Sequence, residues 1–119
     1  MKIGKDTCSL VNFALANPNF VQPKVGMDVT QLMWSDRAAW RVVEVDKDGK
    51  GATLQRYAAK AVGHWLDQNY EFENEQGEPR LRDDYTMHVR YRYKAWKEDN
   101  GSTVHLRFGH REEYRDPSF

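Results

Sequence analysis

The sequence predicts a mainly β protein, α+β only at its margin: a small antiparallel β-barrel or strongly bent sheet of five or six strands, preceded by a short N-terminal helix. Three observations predict it. From Val25 onward apolar and polar residues alternate with the period of a strand rather than a helix. Turn signals recur at short spacing, at Asp48-Gly49-Lys50-Gly51 and Gln76-Gly77-Glu78-Pro79 among others, which favours a meander over parallel strands. Asn100-Gly101 stands between two alternating runs, the strongest short-range signal for a tight hairpin. At 119 residues the chain fits one domain, divided into a helix and linker over 1–24 and a β domain over 25–119.

Ser9 to Asn17 is the helix. Ser9 caps it, Leu10, Phe13, Ala14 and Asn17 form one stripe, and Pro18 ends it because the residue before proline avoids the helical region. Pro18 and Pro23 stiffen the linker. The first strand starts at Val25-Gly26, with Val29, Gln31 and Met33 on one face and Thr30, Leu32 and Trp34 on the other. Ser35-Asp36-Arg37 turns the chain into a second strand from Ala39 to Asp46, and Ala52 to Tyr57 is the third. Ala58 to Leu66 is ambiguous, helix-prone but broken by Gly63. Asn69 to Asn74 alternates cleanly, Tyr70 and Phe72 against Glu71 and Glu73. Tyr85 to Lys97 and Ser102 to Gly109 are the arms of the hairpin, and a charged tail runs to Phe119.

Composition narrows the setting. Four Trp, six Tyr and five Phe supply the bulk of the packing. A single cysteine, Cys8, excludes an internal disulfide and a thiolate metal cluster, and fits a reducing cytoplasm. No run is long and apolar enough for a membrane span, and the N-terminus does not read as a signal peptide. Eighteen basic residues balance eighteen acidic ones, which argues against a general nucleic-acid coat protein. The charges are segregated: residues 64–79 hold five acids and no Lys or Arg, whereas 86–97 hold four basic residues and no acid.

That basic stretch defines the first candidate site. A two-residue type I′ turn at Asn100-Gly101 would pair positions whose numbers sum to 201. Trp96 then faces His105, Lys94 faces Arg107, Arg92 faces Gly109 and Arg90 faces Arg111. Met87, Val89, Tyr91, Tyr93 and Ala95 share the core face with Leu106 and Phe108. The binding face is Arg90, Arg92, Lys94, Trp96, His105, Arg107 and Arg111. Like charges opposite one another are unfavourable by about 0.2–1 kcal/mol per pair, so this face calls for an anion. The anion is either an external partner, with the Trp96 indole stacking on a base, or the acidic strand Glu71–Glu75 within the fold.

Trp34, Asp36 and Arg37 form the second candidate, a recognition loop at the barrel rim, with an Asx-turn at Asp36 and Arg37 stacked on Trp34 or Trp40 as the structural alternative. The remaining groups point to no chemistry. His64, His88, His105 and His110 lack zincin spacing, and nothing ties a histidine to Cys8. Asp83-Asp84 and Glu112-Glu113 point to opposite strand faces, and Glu71, Glu73 and Glu75 read as a solvated acidic edge. No catalytic set, metal or cofactor is expected.

The order Val25-Gly26, Met33-Trp34-Ser35-Asp36-Arg37, Val42-Val43-Glu44-Val45 and a terminal Phe108-Gly109-His110-Arg111-Glu112-Glu113-Tyr114-Arg115-Asp116-Pro117-Ser118-Phe119 resembles a group of small hypothetical proteins of tailed phages and prophages, over roughly residues 25–119. The strand entry at Val25-Gly26 also looks like the opening of a Src-homology or KOW-type small barrel. The phage group carries no established activity, so the resemblance implies a context and no catalytic residue. With the polarised charge surface, it leads to the expectation of a non-enzymatic phage or prophage accessory protein in the cytoplasm of a bacterial host. Such a protein would bind a host or phage macromolecule, foremost a protein, and inhibition of a defence complex in the manner of an anti-CRISPR is one instance. The alternative is a nucleic-acid-binding barrel using the basic-aromatic hairpin face.

Overall fold

The computed structural model describes residues 20–63 and 68–114. The expected N-terminal helix, Cys8, His64 and the tail beyond Tyr114 lie outside the described residues. The strands are β1 (Asp28–Leu32), β2 (Arg37–Val45), β3 (Gly51–Tyr57), β4 (Lys60–Val62), β5 (Asn69–Glu71), β6 (Leu81–Arg92), β7 (Ala95–Glu98) and β8 (Thr103–Phe108). Six of them close an antiparallel barrel in the order β1-β2-β3-β6-β7-β8, and β4 and β5 form a separate two-stranded sheet. The expected antiparallel barrel is therefore the fold, and no helix occurs among the described residues.

Inward-facing residues from every barrel strand fill it: Val29, Ala38, Trp40, Val42, Ala52, Leu54, Met87, Val89, Trp96, Val104, Leu106 and Phe108. The Trp40 indole N–H donates to Gln31 Oε1 at 3.0 Å, which allows a tryptophan in the core without an orphaned donor. Around Trp96 the filling is aromatic: Phe20, Tyr91 and Phe108 lie 5.8, 5.5 and 5.0 Å from it between ring centroids. Phe20, ahead of β1, thus packs against the β6–β7 region.

The hairpin differs from the expected one in two ways. The long arm is not one strand: β6 reverses at Tyr93-Lys94, where φ is +53° and +61°, and Arg92 pairs with Ala95. Positive φ at both central residues is what a type I′ turn requires. The second reversal is a three-residue loop, Asp99-Asn100-Gly101. Gly101 N–H donates to Glu98 O at 2.9 Å, Glu98 N–H donates to Ser102 O at 2.9 Å, and only the glycine takes positive φ, +89°. Asn100 instead uses its side chain, accepting from Ser102 N–H at 2.9 Å. Trp96 consequently pairs with Val104 and Lys97 with Thr103, so paired numbers sum to 200 rather than 201. The extra loop residue is the cause, because one added residue shifts every pair by one.

A second layer covers the outside of β1–β3. Beyond the Trp40–Arg56 pair, β3 leaves β2, and the β2 backbone there needs other partners. The segment after β8 supplies them. Arg37 and Tyr114 exchange both backbone hydrogen bonds at 2.8 Å. At Ala39 the N–H donates to Glu113 Oε1 at 3.1 Å, and the carbonyl accepts from Arg56 Nη1 at 3.0 Å. Arg56 and Glu113 complete a bidentate pair at 2.7 and 2.8 Å. The Glu113 side chain is only 4% exposed, and Thr30 Oγ1 holds the same strap by donating to His110 O at 2.9 Å. Nearby, Tyr57 is buried against Phe72 at 5.5 Å, its hydroxyl donates to Asp28, and Arg111 lies over both rings while pairing with Glu73.

Removing one member of a buried ion pair strands the other, at a cost of about 3–5 kcal/mol. Glu113→Ala should therefore lower the urea unfolding free energy by about 3 kcal/mol, and replacing both partners (Arg56→Met with Glu113→Leu) should recover most of that loss. Equal destabilisation in the single and double variants would remove the clamp from the account.

Candidate functional site: an outward cationic face

Strand alternation and register place the exposed face of β6–β7–β8 without ambiguity. Arg90 pairs with Lys97, Arg92 with Ala95 and Lys97 with Thr103, so these residues point outward together, with His105 and Arg107 in phase along β8. Five expected members of the basic face, Arg90, Arg92, Lys94, His105 and Arg107, gather on or beside this surface. Two do not. Trp96 is a core residue, 4% exposed, and Arg111 lies on the other side of the barrel against Glu73. The expected facing pairs Trp96–His105, Lys94–Arg107 and Arg90–Arg111 are not formed. The tight turn at Tyr93-Lys94 moves Trp96 inward, because it exchanges the inward and outward positions of the chain that follows, and the three-residue loop after it sets Trp96 against Val104 instead of His105. Ala95 and Lys97 thus take the outward places, and Trp96 the inward one.

Tyr93, expected in the core, is 91% exposed at the turn. It is flanked by exposed Arg92 and Lys94. Arg92, Lys94 and Arg107 meet no carboxylate among the described residues, and Lys97 Nζ donates to Thr103 Oγ1 at 3.0 Å. A cleft of about 340 Å³ opens beside them, lined by Arg90, Arg92, Tyr93, Lys97, Glu98 and Asp99.

The border of this face is neutralised from within. Arg90 donates to Asp46 at 2.7 Å and to Asp48 at 2.6 Å, both on the β2–β3 connection. The Arg90 guanidinium holds the Asp48 carboxyl below its usual value, helped by the Lys50 N–H. His88 sits between two acids: Nδ1 lies 2.6 Å from Asp99 Oδ1 and Nε2 lies 3.0 Å from Asp46 Oδ2. Both ring nitrogens face acceptors, which suits the imidazolium, and the hydrogen bonds to Asp99 and then Asp46 raise the His88 pKa. The internal neutralisation expected from Glu71–Glu75 is thus divided. Glu73 meets Arg111, and aspartates of the turns meet Arg90 and His88. Among the described residues no group of three or more His, Cys, Asp or Glu is arranged to hold a metal.

The rim loop lies away from the Tyr93-Lys94 tip of this face. Strands alternate in direction, so the β1–β2 connection carrying Trp34 and Asp36 is at the opposite end of the barrel from the β6–β7 turn. Trp34 is 52% exposed, Met33 N–H donates to Asp36 O at 3.0 Å, and Arg37 pairs with Glu112 of the strap.

Tyr93 and Lys97 escaped the sequence reading, although a signal was present. Large apolar residues occupy odd positions at Met87, Val89 and Tyr91 and then an even one at Trp96. A phase change inside an apparent strand marks a reversal or bulge. The fold and face together define a small closed barrel with an outward cationic surface and an exposed tyrosine at its tip. Comparison with known protein families, curated proteins and solved structures finds no match. No helix among the described residues is long and apolar enough to cross a membrane.

Because the folded state raises the His88 pKa above 6.5, its stabilising contribution is fully present below that pH and is lost as pH rises through the raised value. The thermal midpoint should fall across that window, and His88→Gln should flatten the dependence there. An unchanged pH profile in the variant would disconnect His88 from stability.

Proposed function

We propose that this protein is a non-enzymatic binding module that holds an anionic macromolecule on the outer face of β6–β7–β8. The observation that carries this reading is the turn at Tyr93-Lys94. Two non-glycine residues occupy the left-handed region there, a conformation that costs about 1–3 kcal/mol per residue and collects at functional sites. Asn-Gly would make the same turn at lower cost. The residues present instead carry an exposed ring and a cation to the tip, beside Arg92, Lys97 and Arg107. With Arg90 and His88 already matched by aspartates, these remaining cations form the part of the face that an external anion would complete.

In the phage or prophage setting suggested by Trp34-Ser35-Asp36-Arg37 and the C-terminal residues, such a module would be an accessory protein of the bacterial cytoplasm. It would act by occupying a surface of a host or phage macromolecule, and obstruction of a defence complex is one action open to it.

Inorganic polyphosphate, titrated into labelled protein at low salt, is the direct probe. Amide shifts should cluster at residues 90–97 and 103–107, and the triple variant Arg92→Glu, Lys94→Glu, Lys97→Glu should lose them. Shifts centred elsewhere, or none at low ionic strength, would defeat the reading. Tyr93→Asn with Lys94→Gly should raise unfolding free energy by about 1 kcal/mol through relief of backbone strain. The same exchange should weaken polyphosphate binding. A variant that is no more stable would show that the turn stores no strain.

A further inference from the structure

The cleft beside Tyr93 is not uniformly positive. Arg90, Arg92 and Lys97 stand with Glu98 and Asp99 in the same lining. Glu98 pairs with the core residue Val89 and takes the inward phase of β7, whereas Asp99, 75% exposed, follows Lys97 in the outward phase and is tied to His88 through one oxygen. A purely anionic ligand, such as an acidic peptide segment or a sulfated sugar, gains from the cations and is repelled by the Asp99 carboxylate. A nucleotide suits both halves: its phosphate is an anion, and the amino edge of a base donates hydrogen bonds to a carboxylate. The exposed Tyr93 ring adds a third match, since a free aromatic face stacks on a base. That match requires an unpaired base, because in a duplex both faces of each base are already stacked on neighbours.

We propose that the anionic partner is single-stranded nucleic acid, with a base stacked on Tyr93, its amino edge turned to Asp99, and phosphates on Arg92, Lys94, Lys97 and Arg107. The proposal rests on the polyanion reading above and narrows it. Arg92-Tyr93-Lys94 sets a cation on each side of the ring, so that a strand crossing the tip keeps phosphates near charge while a base covers the tyrosine. Lys97 and Arg107, outward on β7 and β8, extend the cationic track across the sheet. Successive strands are about 4.8 Å apart and alternate residues on one strand about 6.6 Å apart, a scale suited to contacts with neighbouring phosphates of an extended strand.

The test is fluorescence anisotropy of the full chain with labelled oligo-dC and oligo-dT of about 12 nucleotides, a length within the site sizes of small barrels, against a duplex of equal length and heparin. Single strands should bind most tightly, and log K should fall with log salt at a slope of about −3, for four cations on a single strand. Tyr93→Ala should weaken binding by about tenfold while Tyr93→Phe retains it. Asp99→Ala should abolish a preference for oligo-dC over oligo-dT, since thymine has no amino group. Melting curves of each variant separate these effects from misfolding. Equal affinity for duplex, heparin and single strand, or indifference to Tyr93→Ala, overturns the nucleic-acid assignment and leaves the polyanion reading standing. No binding of any oligonucleotide while polyphosphate still binds does the same. Failure of polyphosphate and oligonucleotides alike removes both.

Discussion

The reversal at Tyr93-Lys94 is the constraint on which the rest of this molecule depends. It divides one long run into β6 and β7, and so provides the strand that links β6 to β8 and closes the barrel on β1. A two-residue loop inverts the phase of the chain that follows it, because paired positions then sum to an odd number. Through that inversion Trp96 enters the core, where Phe20, Tyr91 and Phe108 surround it, and Lys97 leaves it. A straight continuation would have left an indole in solvent and a lysine in the barrel. Hydrophobic burial and charge solvation thus favour the same turn, against the local strain of two residues with positive φ.

Charge is distributed by the same logic. The chain has equal numbers of acidic and basic residues, but they are not matched everywhere. Arg56, Arg37 and Arg111 are matched around the strap and the second layer, and Arg90 at the β2–β3 connection, each by an acid distant in sequence. These pairs hold covering segments onto the barrel wall. The Arg56–Glu113 pair does so most directly, since its two side chains fill the backbone hydrogen-bonding positions that β3 vacates beside Ala39. Arg92, Lys94 and Arg107, which meet no carboxylate among the described residues, share one face, where a neutral total charge conceals them.

The sequence was legible where period and turn chemistry agree. β2 and β3 follow from the valine-rich run ending at Val45, from Asp48-Gly49-Lys50-Gly51, whose Gly49 takes φ of +74°, and from the alternation through Ala52 and Leu54. The inward set Met87, Val89, Leu106 and Phe108 was legible for the same reason. Legibility failed where the chain turns without glycine, proline or asparagine: nothing in Arg92-Tyr93-Lys94-Ala95 announces a type I′ turn, and Asn100-Gly101 attracts the reversal that belongs in part to Tyr93-Lys94. At Asn100-Gly101 the location was legible but not the loop length, since a three-residue loop with Gly101 alone at positive φ fits the same residues as a two-residue one. The partners of the cations were not legible at all. Asp46 with Arg90, Glu73 with Arg111 and Glu113 with Arg56 join residues about 40 to 60 positions apart, and only the closed topology brings them together.

One buried donor bears on how tightly that topology is specified. The Trp96 indole N–H has no hydrogen-bond partner among the described residues, in contrast to Trp40, whose N–H is met by Gln31. An unmatched buried donor costs about 1–3 kcal/mol, so the barrel tolerates a defect beside the strained turn. Both unfavourable features sit in one hairpin, while β1–β3 and their strap are densely hydrogen-bonded. Stability is therefore supplied from one side of the barrel, and the side that bears the exposed tyrosine and the unmatched cations is held in shape by it. That division is what a rigid recognition face needs: the turn at the tip is fixed by the barrel it closes, while its exposed side chains remain available for contacts outside the chain.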